Sequence, residues 1–256
     1  YGMEVAMAEV AEKLGVDEAE FKRNNWVRVG DDLHLAVVMG EGREGTPQSL
    51  LSSGMDESLA LGLKASEYYK KRGEFATQSG SIRKGIGMAV VLHGSGIGNM
   101  DMGSASIKMN DDGSFNLLVG ATDSGSGADT ILAQIAAEQL GVPIDDLIVT
   151  SGDTDFTPFD KGAYASSTTY VSGGAVLKAA QDVARQIREH AALMLGMADP
   201  TSLTLRDRKV LAPDGRSLTL EEVALSSLHV LNQHQIQASA SNMSPLSPPP
   251  TAALKS

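Results

Sequence analysis

The chain has 256 residues, a formal net charge of -11 and no cysteine. The acidic balance argues against nucleic acid as a partner, because phosphate binding needs a basic face, and the basic residues are too dispersed for a membrane-surface helix. With no thiol, the chain can hold neither a disulfide nor a cysteine-ligated zinc or iron–sulfur cluster.

The length allows one large domain or two small ones. No apolar run of about 18 residues reaches membrane-spanning length and no secretory signal is visible, so the expected location is cytoplasmic. Because the first residue is Tyr1, the natural start is expected to be processed or missing.

Met3, Val5, Ala6, Val10 and Leu14 recur at helical spacing over residues 2–14, with Gly15 as the stop. A second short helix is expected from Val16 to Phe21, with Asp17 as its cap. The stretch 31–54 reads as irregular. Residues 56–72 read as one helix, closed by Tyr68-Tyr69-Lys70-Lys71.

From about residue 83 the pattern changes to period two. Gly87 to Leu92 and Ala105 to Met109 are expected strands. Asn110-Asp-Asp-Gly113 is a hairpin turn and Ser114 to Val119 the returning strand. A helix over 127–140 carries Ile131, Leu132, Ile135, Ala136 and Leu140 on one face and ends at Gly141 before Pro143. Asp146 to Thr150 reads as a strand.

Ser167 to about Leu195 reads as a long helix with Val176, Ala179, Ala180, Val183 and Ile187 inward. A small hairpin follows (Leu203 to Leu205, Val210-Leu211, then a Pro213-Asp-Gly215 turn). Thr219-Leu-Glu-Glu222 is a capping box. The expected class is α+β (mixed α/β), with helices packed on short hairpin-built sheets. The expected segments are a helical part over 1–80, an α+β core over 81–236 and a Ser/Pro-rich, truncated tail over 237–256.

The densest chemical signal runs from Gly120 to Ala175. Gly120-Ala-Thr-Asp-Ser-Gly125-Ser126-Gly127 joins a strand to a helix, where backbone amides and the helix N-terminus favour anionic or oxo groups. The plainer reading is that Ser126 caps the helix, with Asp129 closing the box. A dinucleotide fingerprint fails, because Thr130 stands at the third glycine position. Asp153-Thr-Asp155 fails as a calcium loop, with Pro158 and Tyr164 at its sixth and twelfth positions. That segment reads as an acidic loop whose aspartates cap local amides.

Lys161-Gly-Ala163-Tyr164-Ala165-Ser166-Ser167-Thr168 is a second small-residue approach to a helix. Two such loops could wall one cofactor cleft. Ser126 is not a nucleophile elbow, because Ser124 occupies the preceding glycine position. His34, His93, His190, His229 and His234 lack metal-ligand spacing. His93 stands out because Gly94-Ser95-Gly96-Ile-Gly98 follows it.

In order and spacing the run from Gly120 to Ala175 resembles the molybdopterin-binding region of the xanthine dehydrogenase and aldehyde oxidase family. The matching text is Gly-Ala-Thr-Asp-Ser-Gly-Ser-Gly-Ala-Asp-Thr, Gln134-Ile-Ala-Ala-Glu-Gln-Leu-Gly141, Asp153-Thr-Asp155, Gly162-Ala-Tyr-Ala-Ser-Ser and Gly173-Gly-Ala-Val176. Ala8 to Gly15, Phe21 to Trp26 and Ser247-Pro-Pro-Pro250 extend the likeness.

The resemblance implies a partial chain of a large, molybdenum-binding subunit. In it Ser124, Gly125 and Ser126, with Ala163, Tyr164, Ala165, Ser166, Ser167 and Thr168, would hold molybdenum–molybdopterin largely through backbone amides, with no side chain ligating the metal. His93, Gly94, Ser95 and Gly96 would lie near the substrate pocket. The implied reaction oxidises a purine, N-heterocycle or aldehyde with oxygen drawn from water. FAD and 2Fe-2S centres, and the other molybdopterin-binding half, would sit on other subunits or domains.

Two departures stand out. Ser126 replaces the family's usual glutamine, and its side chain is too short to bridge as far, so water takes over that interaction or nothing does. The family's general-base glutamate has no counterpart in this chain, which gives the alternative of a catalytically inactive fragment or a cofactor-binding or assembly module.

Overall fold

The computed structural model describes residues 1–33, 49–91, 93, 101–231 and 233–244. They fall into two compact units, one within Tyr1–Leu92 and one within His93–Ser247.

The first unit is helical. Helix α1 (Gly2–Leu14) ends at Gly15, whose φ of 67° is the left-handed cap that glycine accepts without steric cost. Helix α2 (Glu18–Asn25) starts at Asp17, whose carboxylate accepts from the Glu20 amide at 3.0 Å, as the sequence predicts.

The helix expected over 56–72 is two helices, α3 (Met55–Ala65) and α4 (Tyr68–Ala76). The Ser66 hydroxyl bonds back to the Gly62 carbonyl at 2.8 Å, and Glu67 follows in the left-handed region at φ 52°. A serine that satisfies the preceding turn and a left-handed residue together end the first helix. The break turns Tyr68 inward, where it is buried and donates to Glu18 at 3.0 Å.

Glu18 and Lys22 are also buried, and their charges are satisfied by neighbours. Lys22 Nζ donates to Glu18 Oε1 at 2.8 Å and lies 3.1 Å from Glu4. Arg72 Nη1 donates to Glu18 Oε2 at 2.7 Å. The network thus ties α1, α2 and α4 together.

The segment expected as a strand over Gly87 to Leu92 joins no ladder among the described residues, and Leu92 lies outside them. Side chains serve part of its backbone instead. Lys22 Nζ donates to the Met88 carbonyl at 2.9 Å, and the Val90 amide donates to Glu4 at 2.8 Å.

The second unit is built on a four-stranded sheet. Strand β1 (Met102–Met109) and β2 (Phe115–Val119) form the predicted hairpin, in register from Ala105↔Val119 to Met109↔Phe115. Strand β3 (Leu147–Ser151) joins β2 in parallel after helix α5 (Ala128–Leu140).

Period-two alternation points Ala105, Ile107, Met109, Phe115, Leu117 and Val119 to one face. There they meet Leu132, Ala136 and Leu140 of α5 and Val176, Val183 and Ile187 of helix α6 (Gly173–Leu195). Each large side chain buried in this layer contributes roughly 1.5–3 kcal/mol. A second sheet of β4 (Thr204–Arg206), β5 (Lys209–Leu211) and β6 (Ser217–Thr219) leads into helix α7 (Leu220–His229). That helix opens on the predicted capping box of Thr219 and Glu222.

Two features depart from the sequence reading. Gln237–Met243, in the segment expected as a tail, forms strand β7 antiparallel to β1, which completes the order β3-β2-β1-β7. Its alternation of serine and alanine carries little hydrophobic contrast. Hydroxyl pairs cross the two strands, Ser104 with Ser241 at 2.8 Å and Ser106 with Ser239 at 2.7 Å.

The helix expected from Ser167 opens instead with a π-helical turn, Thr168–Ser172, before α6 begins. The Asn242 side chain donates to the Val171 carbonyl at 3.0 Å, so a group from β7 takes an acceptor at that turn.

Candidate cofactor-binding site

Strand direction gathers the candidate loops. Strands β2 and β3 are parallel, so Val119 and Ser151 end at one edge of the sheet. Strand β1 starts at that edge, where Met102 pairs with Met243. The loops after β2 and after β3 therefore leave the sheet side by side, at the carboxyl ends of adjacent strands, where open sheets with helices commonly bind ligands.

Their approach is close. A Cβ on Gly152 would lie 3.1 Å from the Thr122 hydroxyl, and one on Gly120 would lie 2.3 Å from the Pro158 carbonyl oxygen. Only glycine lets the second loop lie on the root of the first.

In the first loop Ser124, Gly125 and Ser126 are exposed. The predicted Ser126 cap is absent. The N-cap of α5 is Gly127, in the left-handed region, and no side-chain cap bond is made from it. Asp123 takes that part from outside the helix, accepting from the Gly125 amide at 2.8 Å and the Gly127 amide at 3.1 Å. These amide bonds, that of Gly125 foremost, hold its carboxyl below the usual aspartate range. One of the amides expected to face a cofactor, that of Gly125, therefore already serves a carboxylate, as does the neighbouring Gly127 amide. What the loop offers outward is the hydroxyls of Ser124 and Ser126. Near them, Asp129 Oδ1 in the first turn of α5 is buried with no hydrogen-bond partner among the described residues.

The second loop uses the same device. Asp160 Oδ1 accepts from the Gly162 amide at 2.8 Å, repeating the Asp-x-Gly pattern of 123–125. Beyond it the backbone is strained, with Ala165 at φ 47° and Ser166 at φ 54°. Left-handed residues other than glycine cost of order 1 kcal/mol or more each and persist where surrounding contacts enforce them.

The enforcing contacts are visible. Ala165 and Ser167 are buried, and the Ser167 hydroxyl donates to the Tyr164 carbonyl at 2.8 Å. Ser166 at left-handed φ is followed by Ser167 at φ -84°, a succession that turns neighbouring amides toward one side. Ala163, Tyr164 and Ser166 are exposed and Thr168 is half-buried.

The structure thus brings the two predicted loops to one edge. His93 is exposed and lies outside any helix or strand, while Gly94, Ser95 and Gly96 lie outside the described residues. Asp123, Asp129, Asp160 and Ser172 lie outside the expected site residues, although the repeated Asp-x-Gly spacing is visible in the sequence. The apolar groove of the first unit, lined by Trp26, Leu59, Leu63 and Met88, has Tyr68 as its one titratable lining group, and that hydroxyl is committed to Glu18.

Among the described residues no helix is long and apolar enough to cross a membrane. No group of three or more His, Asp or Glu side chains there is placed to hold a metal ion.

The chain is 32% identical to the xanthine dehydrogenase molybdenum-binding subunit of Escherichia coli O157:H7 over 255 residues, which is 97% of this chain and 33% of that protein. It is 29% identical to the carbon monoxide dehydrogenase large chain of Afipia carboxidovorans over 206 residues, 76% of this chain and 25% of that one. The chain thus spans about a third or less of the length of these relatives.

In fold it is similar to quinoline 2-oxidoreductase from Pseudomonas putida 86, with a TM-score of 0.54 and 21% identity over 94% of this chain and 32% of that one. Residues 61–252 match the molybdopterin cofactor-binding domain family, and the chain belongs to that family.

Proposed function

We propose that this chain is the cofactor-holding part of a molybdenum hydroxylase, with the 120–127 and 162–168 loops as two walls of the molybdopterin site. The observation that carries this reading is that the segments leading into both loops meet at one sheet edge, Gly120 against Pro158 and Asp160 and Gly152 against Thr122, each loop opening a helix and one of them held in a strained left-handed shape.

The donor set fits the group. A pterin carries both N–H donors and acceptor nitrogens. The loops offer the hydroxyls of Ser124, Ser126 and Ser166 and the amides of Ala163, Ala165, Ser166 and Thr168 as donors, those of Tyr164 and Ser167 being taken by the Gly162 and Tyr164 carbonyls, with the unpartnered Asp129 oxygen as an acceptor. Since Asp123 occupies the Gly125 and Gly127 amides, the first loop would act mainly through its serines and the second through its backbone. No side chain here is assigned to the metal itself.

When bound, the cofactor supplies two-electron oxidation of a purine, N-heterocycle or aldehyde with water as the oxygen source. The chain's own residues bind and orient it. The general base, the other molybdopterin-binding half, FAD and the 2Fe-2S centres are assigned to other subunits or domains of a cytoplasmic complex. His93 and the residues after it are assigned to the substrate side.

The test is the molybdenum and pterin content of the chain purified with the partners it brings from its native cell. The expected result is about one molybdenum and one pterin per chain, reduced when Ser166 is replaced by valine, which cannot hold the left-handed φ. A preparation with neither molybdenum nor pterin overturns the reading.

A further inference from the structure

Asp160 sits where three parts of the second unit meet. One carboxylate oxygen accepts from the Gly162 amide at 2.8 Å, at the entrance of the second loop. The other accepts from the Ser172 hydroxyl at 2.6 Å, in the last residue of the π-helical turn at the loop's exit. One side chain therefore holds both ends of the segment 162–172.

The sheet supplies the floor. A Cβ on Gly103 would lie 2.7 Å from both Asp160 Oδ2 and Ser172 Oγ, and a Cβ on Gly120 would lie 2.6 Å from Asp160 Cβ. Glycine at these two positions, one on β1 and one just past β2, leaves room for the carboxylate against the edge of the sheet. Between the two anchored ends lie Ala165 and Ser166, the strained pair. A loop free at either end would relax that strain, whereas a loop pinned at both must keep it.

We propose that Asp160 is a positioning residue that sets the shape of the 162–168 loop and so aims its donors at the cofactor, a role that rests on the cofactor-site reading above. It acts through the loop and is not itself placed against the reacting atoms. Asparagine could take over the role, since its carbonyl oxygen can accept from Gly162 and its amide can donate to the Ser172 oxygen. Alanine could not.

The experiment uses the full chain with its native partners and compares Asp160→Ala, Asp160→Asn and Ser172→Ala. Two quantities are read: amide hydrogen exchange across 162–172, and molybdenum and pterin per chain. With two hydrogen bonds removed, Asp160→Ala is expected to exchange about tenfold faster over 162–168 and to lose cofactor by a similar factor. Ser172→Ala, which removes one bond and keeps the carboxylate, should fall between. Asp160→Asn should stay near the parent in both, and exchange at the core amides of β1 and β2 should not change.

Unchanged exchange over 162–168 in Asp160→Ala overturns the positioning role. Faster exchange with undiminished cofactor overturns the link to the cofactor. If the parent chain itself holds no cofactor, the site reading fails, and the exchange data still decide whether Asp160 shapes the loop. Should Asp160→Ala fail to fold, Ser172→Ala decides the same point.

Discussion

Replacing Gly120 with alanine tests the packing that joins the two loops. The added methyl would lie 2.3 Å from the Pro158 carbonyl oxygen, 2.6 Å from Asp160 Cβ and 2.8 Å from the Asp160 nitrogen. Two of these atoms are backbone, so no side-chain rotation relieves the clash, and the 153–160 segment must withdraw by about 1 Å to reach ordinary van der Waals distance. Gly120 is not among the positive-φ residues, so alanine meets no conformational penalty. By narrowing the unfolded ensemble it should even stabilise by about 0.4–1 kcal/mol.

Overpacking of this kind costs about 1–3 kcal/mol, leaving a net loss of up to about 2.6 kcal/mol and of about 1.3 kcal/mol at mid-range. With a urea slope of about 2–3 kcal/mol/M, the unfolding midpoint should fall by roughly half a molar. Gly125→Ala is the control, because Gly125 sits at φ 99° with no atom within 4 Å of the added carbon. It should carry only backbone strain and leave amide exchange over 153–162 unchanged, whereas Gly120→Ala should speed it. A Gly120→Ala chain at least as stable as the parent and with unchanged amide exchange over 153–162 would show that the 153–160 segment does not lie on Gly120.

Three further outcomes are expected. Glu18→Ala removes the acceptor shared by the buried Lys22 and Tyr68 and the exposed Arg72 and should cost about 3–5 kcal/mol. The fluorescence of Trp26, the chain's one tryptophan, can follow the thermal unfolding of its unit, and a midpoint within a degree or two of the parent would argue against the network. Burial alone would raise the pKa of Glu18 and of Glu4. Lys22, Arg72 and Tyr68 around Glu18, and the Val90 amide and Lys22 around Glu4, outweigh that and leave both below 4.5. Their contribution to stability is therefore present above about pH 4.5 and lost as pH falls through the depressed folded values, so the Trp26 transition should weaken in that window and weaken less in Glu18→Ala. His190, depressed first by burial and then by the nearby charge of His234, should titrate below 6.5 by proton NMR. Its contribution is complete above pH 6.5 and lost as pH falls through the lower folded value, and a midpoint at or above 6.5 would contradict its buried packing against Ser226.

Much of this was legible in the residues. The alternation from Ala105 to Val119 forms the β1–β2 hairpin, and the apolar stripes of α5 and α6 cover its buried face. Asp17 and Thr219 cap the helices they were expected to cap. These are signals carried within one element, by period, by cap chemistry or by a turn, and they require no distant partner. The small-residue loops at 120–127 and 162–168 were recognisable for the same reason, since glycine, alanine and serine before a helix are a local pattern.

What the residues alone did not disclose depends on interactions made across the chain. Gln237–Met243 became a strand because β1 offered it an edge, and its serines and alanines have too little hydrophobic contrast to announce that pairing. Met88 and Val90 lie in a segment whose pattern reads as a strand, yet the side chains of Lys22 and Glu4 serve its backbone. The helix over 56–72 broke at Ser66–Glu67, where the turn brings Tyr68 to Glu18. The site divides in the same way. The chain's local chemistry set the two loops and their Asp-x-Gly turns. Only the tertiary structure decided that Asp123 would occupy the first loop's amides, and that Asp160, lodged against Gly103 and Gly120, would tie Gly162 to Ser172, because those partners meet only once β1, β2 and β3 share one sheet edge.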